Sequence, residues 1–141
     1  MRSNLILLTF LSFSFFLLIS SCQSEEEITY ARYYVNGKGL YEQYCQNCHS
    51  NTGAGLGELI PPLTDTVSIK KNKEAIPCFI KYGLAKQLQV NNQTYEGKMP
   101  ANTQLSNIEI AELVTYVTNS FGNKYGLTSV DQVAEQLKDC R

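Results

Sequence analysis

Most of the chain's chemical potential is concentrated in "CQNCH", Cys45 to His49. Two thiols and an imidazole this close could close a disulfide, contribute to a metal site, exchange electrons as thiols, or carry a covalently attached group. His49 is the only histidine, and Met99, in "GKMP", is the only methionine besides the initiator. Three further cysteines, Cys22, Cys78 and Cys140, lie far away along the chain.

The four readings separate on what each would still need. A disulfide between Cys45 and Cys48 needs nothing more. A zinc site needs a fourth ligand, and with no second histidine Cys78 or Cys140 would have to supply it. A thioredoxin-like pair belongs in a βαβ pattern, which is missing here. C-x-x-C-H is also the attachment signature of c-type haem: two thioethers hold the porphyrin edge and the next residue turns its imidazole onto iron. This is the reading adopted. Iron held by one imidazole then needs a sixth partner or stays open. Met99 lies between Gly97 and Pro100, in a turn rather than on a core stripe. A turn can present a thioether, so Met99 is the economical axial ligand.

The N-terminus points to export, the compartment where such chemistry is at home. Met1-Arg2 precedes an uncharged apolar run, Leu5 to Ile19, shorter than the roughly 20 residues of a membrane span. A basic start, a short apolar stretch and small residues read as a secretion signal. "ISSC", Ile19 to Cys22, resembles the lipobox of bacterial lipoproteins, which implies cleavage before Cys22 and lipidation of that residue. Acyl chains at ~0.8 kcal/mol per buried CH₂ would anchor the protein to a membrane. "QSEEE" follows and reads as a solvated tether. The expected organisation is a removed signal over 1–21, an acidic tether over 22–30 and one domain over 31–141.

Further motifs carry a second resemblance. "GKGLYEQYCQNCH" has an aromatic residue, Tyr41, four positions before the first motif cysteine, and "PPL" stands at Pro61 to Leu63. "YEGKMP" precedes a helical pattern that contains "EIAELVTYV". In this order and spacing, residues 33–121 resemble a single-haem class I c-type cytochrome. The resemblance implies an all-α small cytochrome c fold, helices and loops wrapped around one covalent haem c. It implies thioethers at Cys45 and Cys48, axial ligands His49 and Met99, and a Pro61 carbonyl that accepts the hydrogen bond of His49. Pro62 is the adjacent alternative. It also implies a crossing of the first and last family helices, where Gly37 or Gly39 would meet Leu113 and Tyr116.

The elements that must position these residues are legible as patterns. Leu40, Tyr41, Tyr44, Cys45 and Cys48 recur at helical spacing, with Asn36 as the expected N-cap. Ser106 and Glu109 form a capping box for a helix running to about Phe121 and stopping at Gly122. Its expected core stripe is Ile110, Leu113, Val114, Val117 and Phe121. Ile76, Phe79 and Ile80 suggest a short or kinked helix ending at Gly83, because Pro77 restricts its neighbour and lacks a donor. "GAGLG", Gly53 to Gly57, follows no strand, so it reads as a loop that lets backbone approach the haem. Beyond the family pattern, Ser129 and Gln132 cap an extra C-terminal helix with Val130, Val133, Ala134 and Leu137 on one side. With the other cysteines assigned, Cys78 and Cys140 remain in an oxidising space, as a disulfide or as separate thiols. A bridge would be worth roughly 4 kcal/mol by loop entropy.

Charge is nearly balanced, 12 basic against 13 acidic side chains, which leaves no footprint for nucleic acid. Six lysines stand between residues 70 and 98 against two acids, Glu74 and Glu96. They read as a solvated face or as a steering surface for an acidic, transient redox partner. The expectation is an electron carrier rather than an enzyme, lipid-anchored in the bacterial periplasm or at the cell surface. The rivals are a relay subunit of a larger oxidoreductase, a haem sensor or enzyme with an open iron, and a metal-free structural lipoprotein.

Overall fold

The computed structural model describes residues 24–140. The expected signal over 1–21 and the lipidation site Cys22 lie outside the described residues. No helix among the described residues is long and apolar enough to cross a membrane.

The first helix, α1, runs Glu25–Tyr44 and starts well before the expected cap at Asn36. Ser24 is the N-cap: its hydroxyl accepts the Glu27 N–H at 3.2 Å. Glu25, Glu26 and Glu27 then sit in the first turn, where carboxylates oppose the positive end of the helix dipole. The stretch read as a tether is therefore helical from Glu25 onward. Asn36 lies inside α1 and donates from Nδ2 to the buried Glu112 carboxylate at 2.8 Å.

Tyr33, Gly37 and Tyr41, four residues apart, form the buried face of α1. They cross helix α5, Asn107–Val117. At Gly37 an added Cβ would lie 2.0 Å from the Glu112 carbonyl oxygen and 2.8 Å from the Tyr116 Cβ, whereas Gly39 faces open space. The expected Gly37-or-Gly39 contact is thus made by Gly37, which meets Tyr116 as expected and also the Glu112 backbone. Helix α5 is buried on every side from Ile110 to Val117, a central rod rather than an amphipathic one. Its box is formed by Glu109, whose carboxylate accepts from the Ser106 N–H at 2.8 Å and the Ser106 hydroxyl at 2.6 Å. It stops at Val117, short of the expected Phe121, which sits at φ 57° just before Gly122.

Between these helices come a single turn α2, Gln46–His49, and the short helices α3, Thr66–Asn72, and α4, Ile76–Tyr82. Pro77 is buried in the first turn of α4, where a missing N–H costs nothing, and the short helix ends at Gly83, whose φ of 76° suits glycine. The fold is mainly helical, with one small two-stranded sheet beside the helices. Leu88–Val90 (β1) and Gln93–Tyr95 (β2) pair antiparallel, Leu88 opposite Tyr95 and Val90 opposite Gln93. The two-residue turn is Asn91-Asn92 at φ 51° and 63°, the left-handed pair that matches the twist of a hairpin.

After α5 the chain folds back. Asn119 Oδ1 accepts from the N–H groups of Tyr125 and Gly126 at 2.9 and 2.8 Å. Helix α6, Val130–Gln136, is capped by Ser129 and Gln132 and buries Val133 completely. A 3₁₀ turn, Leu137–Asp139, leads to Cys140, which is disulfide-bonded to Cys78 in α4 across 62 positions.

Candidate haem site

The CQNCH segment leaves α1 at Cys45, whose N–H still donates to the Tyr41 carbonyl at 2.9 Å. The Cys48 and His49 N–H groups both return to the Cys45 carbonyl, at 3.1 and 2.9 Å. The motif is therefore one further turn on the end of a long, packed helix. Tyr41 braces it, donating its phenol proton to the Ser50 carbonyl at 2.6 Å. Cys45 and Cys48 are not bonded to each other, so the disulfide reading of this pair fails. Burial, with Cys48 adding a smaller effect, pushes the Cys45 thiol up to about 12, opposite to the low values of redox-active pairs. Among the described residues no three histidine, cysteine or acidic side chains gather into a metal cluster, against the zinc reading.

His49 Nδ1 lies 3.3 Å from the Pro61 carbonyl oxygen. A carbonyl can only accept, so Nδ1 carries the proton and the Nε2 lone pair is left free. Burial lowers the His49 pKa, partly opposed by the hydrogen bond to the Pro61 carbonyl, and so favours the neutral ring. A neutral ring with a free Nε2 is the ligating form.

The strap bearing Pro61 is held by glycine. The Leu56 N–H donates to the Ile60 carbonyl at 3.0 Å, and a Cβ on Gly55, at φ 72°, would lie 2.2 Å from that carbonyl oxygen. A Cβ on Gly53 would strike the Phe121 ring at 2.6 Å. These glycines let the strap pack against its own later turn and against Phe121. Asn123 ties the same strap to the chain after α5, donating from Nδ2 to the Leu63 carbonyl at 3.0 Å.

Cys45, Cys48, His49, Pro61 and Met99 all border one cleft of about 1100 Å³, open mouth included. The remaining walls are mostly apolar, with Phe79 and Ile80 from α4, Val90 and Tyr95 from the hairpin, and Leu113 and Val117 from α5; Ser68, Asn72 and Lys98 are the polar exceptions. Met99 is half-buried and exchanges two backbone hydrogen bonds with Leu84, each 2.9 Å. The cleft brings these side chains to one place. Its donor set, an imidazole, a thioether and two thiols, suits a haem iron and two thioether links. The residues fit the group.

The hairpin walls were missed in the sequence, although Asn-Asn between Leu-Gln-Val and Gln-Thr-Tyr was a usable signal. Of the six lysines between residues 70 and 98, Lys81 is tied down: its Nζ donates to the carbonyls of Thr103 and Leu105 at 2.8 and 2.6 Å. Lys73 stands 5.7 Å from the Tyr125 ring centre.

The family model described as cytochrome c oxidase, cbb3-type, subunit III, matches residues 34–117. The chain belongs to this cytochrome c family. The match covers α1 from Tyr34, the cleft and all of α5. Cytochrome c-552 of Thermus thermophilus is 28% identical over 112 residues, 76% of this cytochrome and 85% of that one. The cytochrome c subunit of alcohol dehydrogenase (quinone) from Gluconacetobacter polyoxogenes is 30% identical over 108 residues. That alignment takes in 74% of this chain but only 23% of the subunit. This cytochrome, like its family, binds haem c covalently and is an electron carrier rather than an enzyme.

Proposed function

We propose that the protein is a single-haem class I cytochrome c that passes electrons between redox proteins while anchored to a membrane through lipidated Cys22. Cys45 and Cys48 form the thioether links, His49 and Met99 are the axial ligands, and Pro61 orients His49. The observation that carries this reading is the convergence of those side chains on one apolar cleft, with His49 Nδ1 already committed to Pro61. When bound, haem supplies an iron that alternates between Fe(II) and Fe(III). The chain's own contribution is rigidity and dryness: α1 fixes His49, the strap fixes its ring, and the Leu84 pairing fixes Met99. Ligands held alike in both oxidation states keep rearrangement small, and a histidine–methionine pair raises the potential.

The docking surface is the exposed lysine set Lys70, Lys71, Lys86 and Lys98, with Lys98 at the cleft itself. It suits an acidic partner met through a small, short-lived interface. In this reading a signal over 1–21 exports the carrier to the periplasm or cell surface and a lipid on Cys22 holds it there.

Absorbance spectra of the holoprotein, oxidised and reduced, with and without carbon monoxide, test the site. A reduced spectrum indifferent to carbon monoxide supports Met99 as the sixth ligand, and Met99→Ala should then bind the gas. Ready binding by the unaltered protein refutes that assignment and favours a sensor or enzyme. A second reading, a relay subunit of a larger oxidoreductase, is favoured by the likeness to a dehydrogenase's cytochrome subunit. Purification from native membranes as a stable complex would support it over a free carrier.

A further inference from the structure

Helix α4 has two sides with different attachments. Ile76, Phe79 and Ile80 turn to the cleft, while Cys78 is bonded to Cys140 at the end of the tail. Seven residues are too few to hold a helix by themselves, so the position of α4 is set by what grips it.

What α4 grips in turn is the loop of Met99. Leu84 and Met99 exchange their two backbone bonds at 2.9 Å, and the Asn102 N–H donates to the Ile80 carbonyl at 3.0 Å. Lys81 Nζ reaches the carbonyls of Thr103 and Leu105 at 2.8 and 2.6 Å. The backbones are in close contact: a Cβ on Gly83 would lie 2.5 Å from the Met99 carbonyl oxygen. With the Asn102 side chain, whose Nδ2 also donates to the Ile80 carbonyl at 3.5 Å, six hydrogen bonds run from residues 80–84 to residues 99–105. A shift of α4 moves the Met99 loop with it.

The tail is a structured anchor for this helix. Val133 is fully buried, and the Thr128 N–H donates to Thr115 Oγ1 on α5 at 3.0 Å. The tail is thus seated on the central helix before it reaches Cys140. The disulfide closes a chain from α5 through the tail to α4, and Lys81 extends it to the loop. The family match ends at residue 117, so both Cys140 and the seat of the tail lie beyond it.

We propose that Cys78, Cys140 and Lys81 are positioning residues for Met99: the disulfide fixes α4 from outside, and Lys81 passes that placement to the Met99 loop. The proposal rests on the reading of Met99 as sixth ligand. It makes the strength of Met99 ligation depend on a bond far from the iron. Cleavage by a dithiol would give two protein thiols and one cyclic disulfide, the dithiol supplying both electrons, and would weaken that ligation.

The test uses the holoprotein with the haem matured in place. The unaltered protein is measured first: its oxidised form should show the methionine–iron charge-transfer band, and its ascorbate-reduced form should ignore carbon monoxide. Failure at this step removes the Met99 reading itself. The Cys78→Ser/Cys140→Ser double variant and Lys81→Met are then measured well below their unfolding temperatures. The expected result is a weakened band in both. Apparent carbon monoxide affinity should rise about tenfold, as it would if the methionine-off population rose tenfold. Lys81→Arg, which keeps a donor, should restore the band. If both variants keep the band and stay indifferent to carbon monoxide while only melting earlier, the proposal is overturned. Should the double variant not accumulate, Lys81→Met with its Lys81→Arg rescue decides by the same two outcomes.

Discussion

His49 Nδ1 and the Pro61 carbonyl oxygen stand 3.3 Å apart, joining the end of the long first helix to a strap twelve residues later. The contact exists because Gly55 has no side chain. A Cβ there would lie 2.2 Å from the Ile60 carbonyl and 2.9 Å from that of Pro61.

Gly55→Ala should therefore loosen the strap without touching a ligand. Losing a hydrogen bond from its Nδ1–H makes a histidine a poorer electron donor to iron, which disfavours Fe(III). The potential should rise by on the order of 20–50 mV, since a bond of ~1 kcal/mol is only partly lost and 59 mV is a tenfold change. Redox titration of the holoprotein reads this directly, and a fall in potential would refute the assigned role of Pro61.

The helix crossing predicts opposite signs for two neighbouring glycines. Gly37→Ala places a methyl 2.0 Å from the Glu112 carbonyl oxygen, so it should destabilise by at least the ~1–3 kcal/mol of overpacking. Gly39→Ala meets nothing within 4 Å and should stabilise by roughly 0.5–1 kcal/mol through helix propensity. Denaturant unfolding of both variants measures the contrast.

Ser106→Ala should cost about 1 kcal/mol at neutral pH by removing the cap of α5. The loss should depend on acidity. The Ser106 hydroxyl and N–H hold the Glu109 carboxyl below its ordinary value, with the hydroxyl the larger cause. A lowered folded-state pKa contributes stability above the unfolded pKa and loses it as pH falls through the folded value. The gap between Ser106→Ala and the parent should therefore narrow in acid, by a small amount because Glu109 is exposed to solvent screening. Unfolding curves at a series of pH values would show it.

Lys98→Gln at the cleft should lower the association rate with an acidic redox partner several-fold and flatten its dependence on salt. Lys81→Met removes the same charge, but its side chain is tied to two carbonyls, so it should change the rate less. Stopped-flow electron transfer across a salt series separates the two lysines.

Signals within a few residues of one another were readable in advance. The CQNCH turn, the capping pairs Ser106/Glu109 and Ser129/Gln132, and the stop at Gly83 are all local. The start of α1 was readable as well, since Ser24 and Glu27 have capping-box spacing; the run of charges disguised it as a tether. The hairpin was hidden for a similar reason, its turn being Asn-Asn without the usual glycine.

By itself the sequence determined the covalent chemistry: two thiols and an imidazole in one turn, one methionine in another, and short-range caps that start helices wherever the chain goes. The tertiary structure decided which side chains share the cleft, which of two glycines sits at the crossing, and that Lys81 holds a loop instead of facing a partner. The physical reason is range. Caps and turns are set by neighbours three or four residues away, whereas the Gly37–Glu112 contact and the Cys78–Cys140 bond exist only after distant segments have packed.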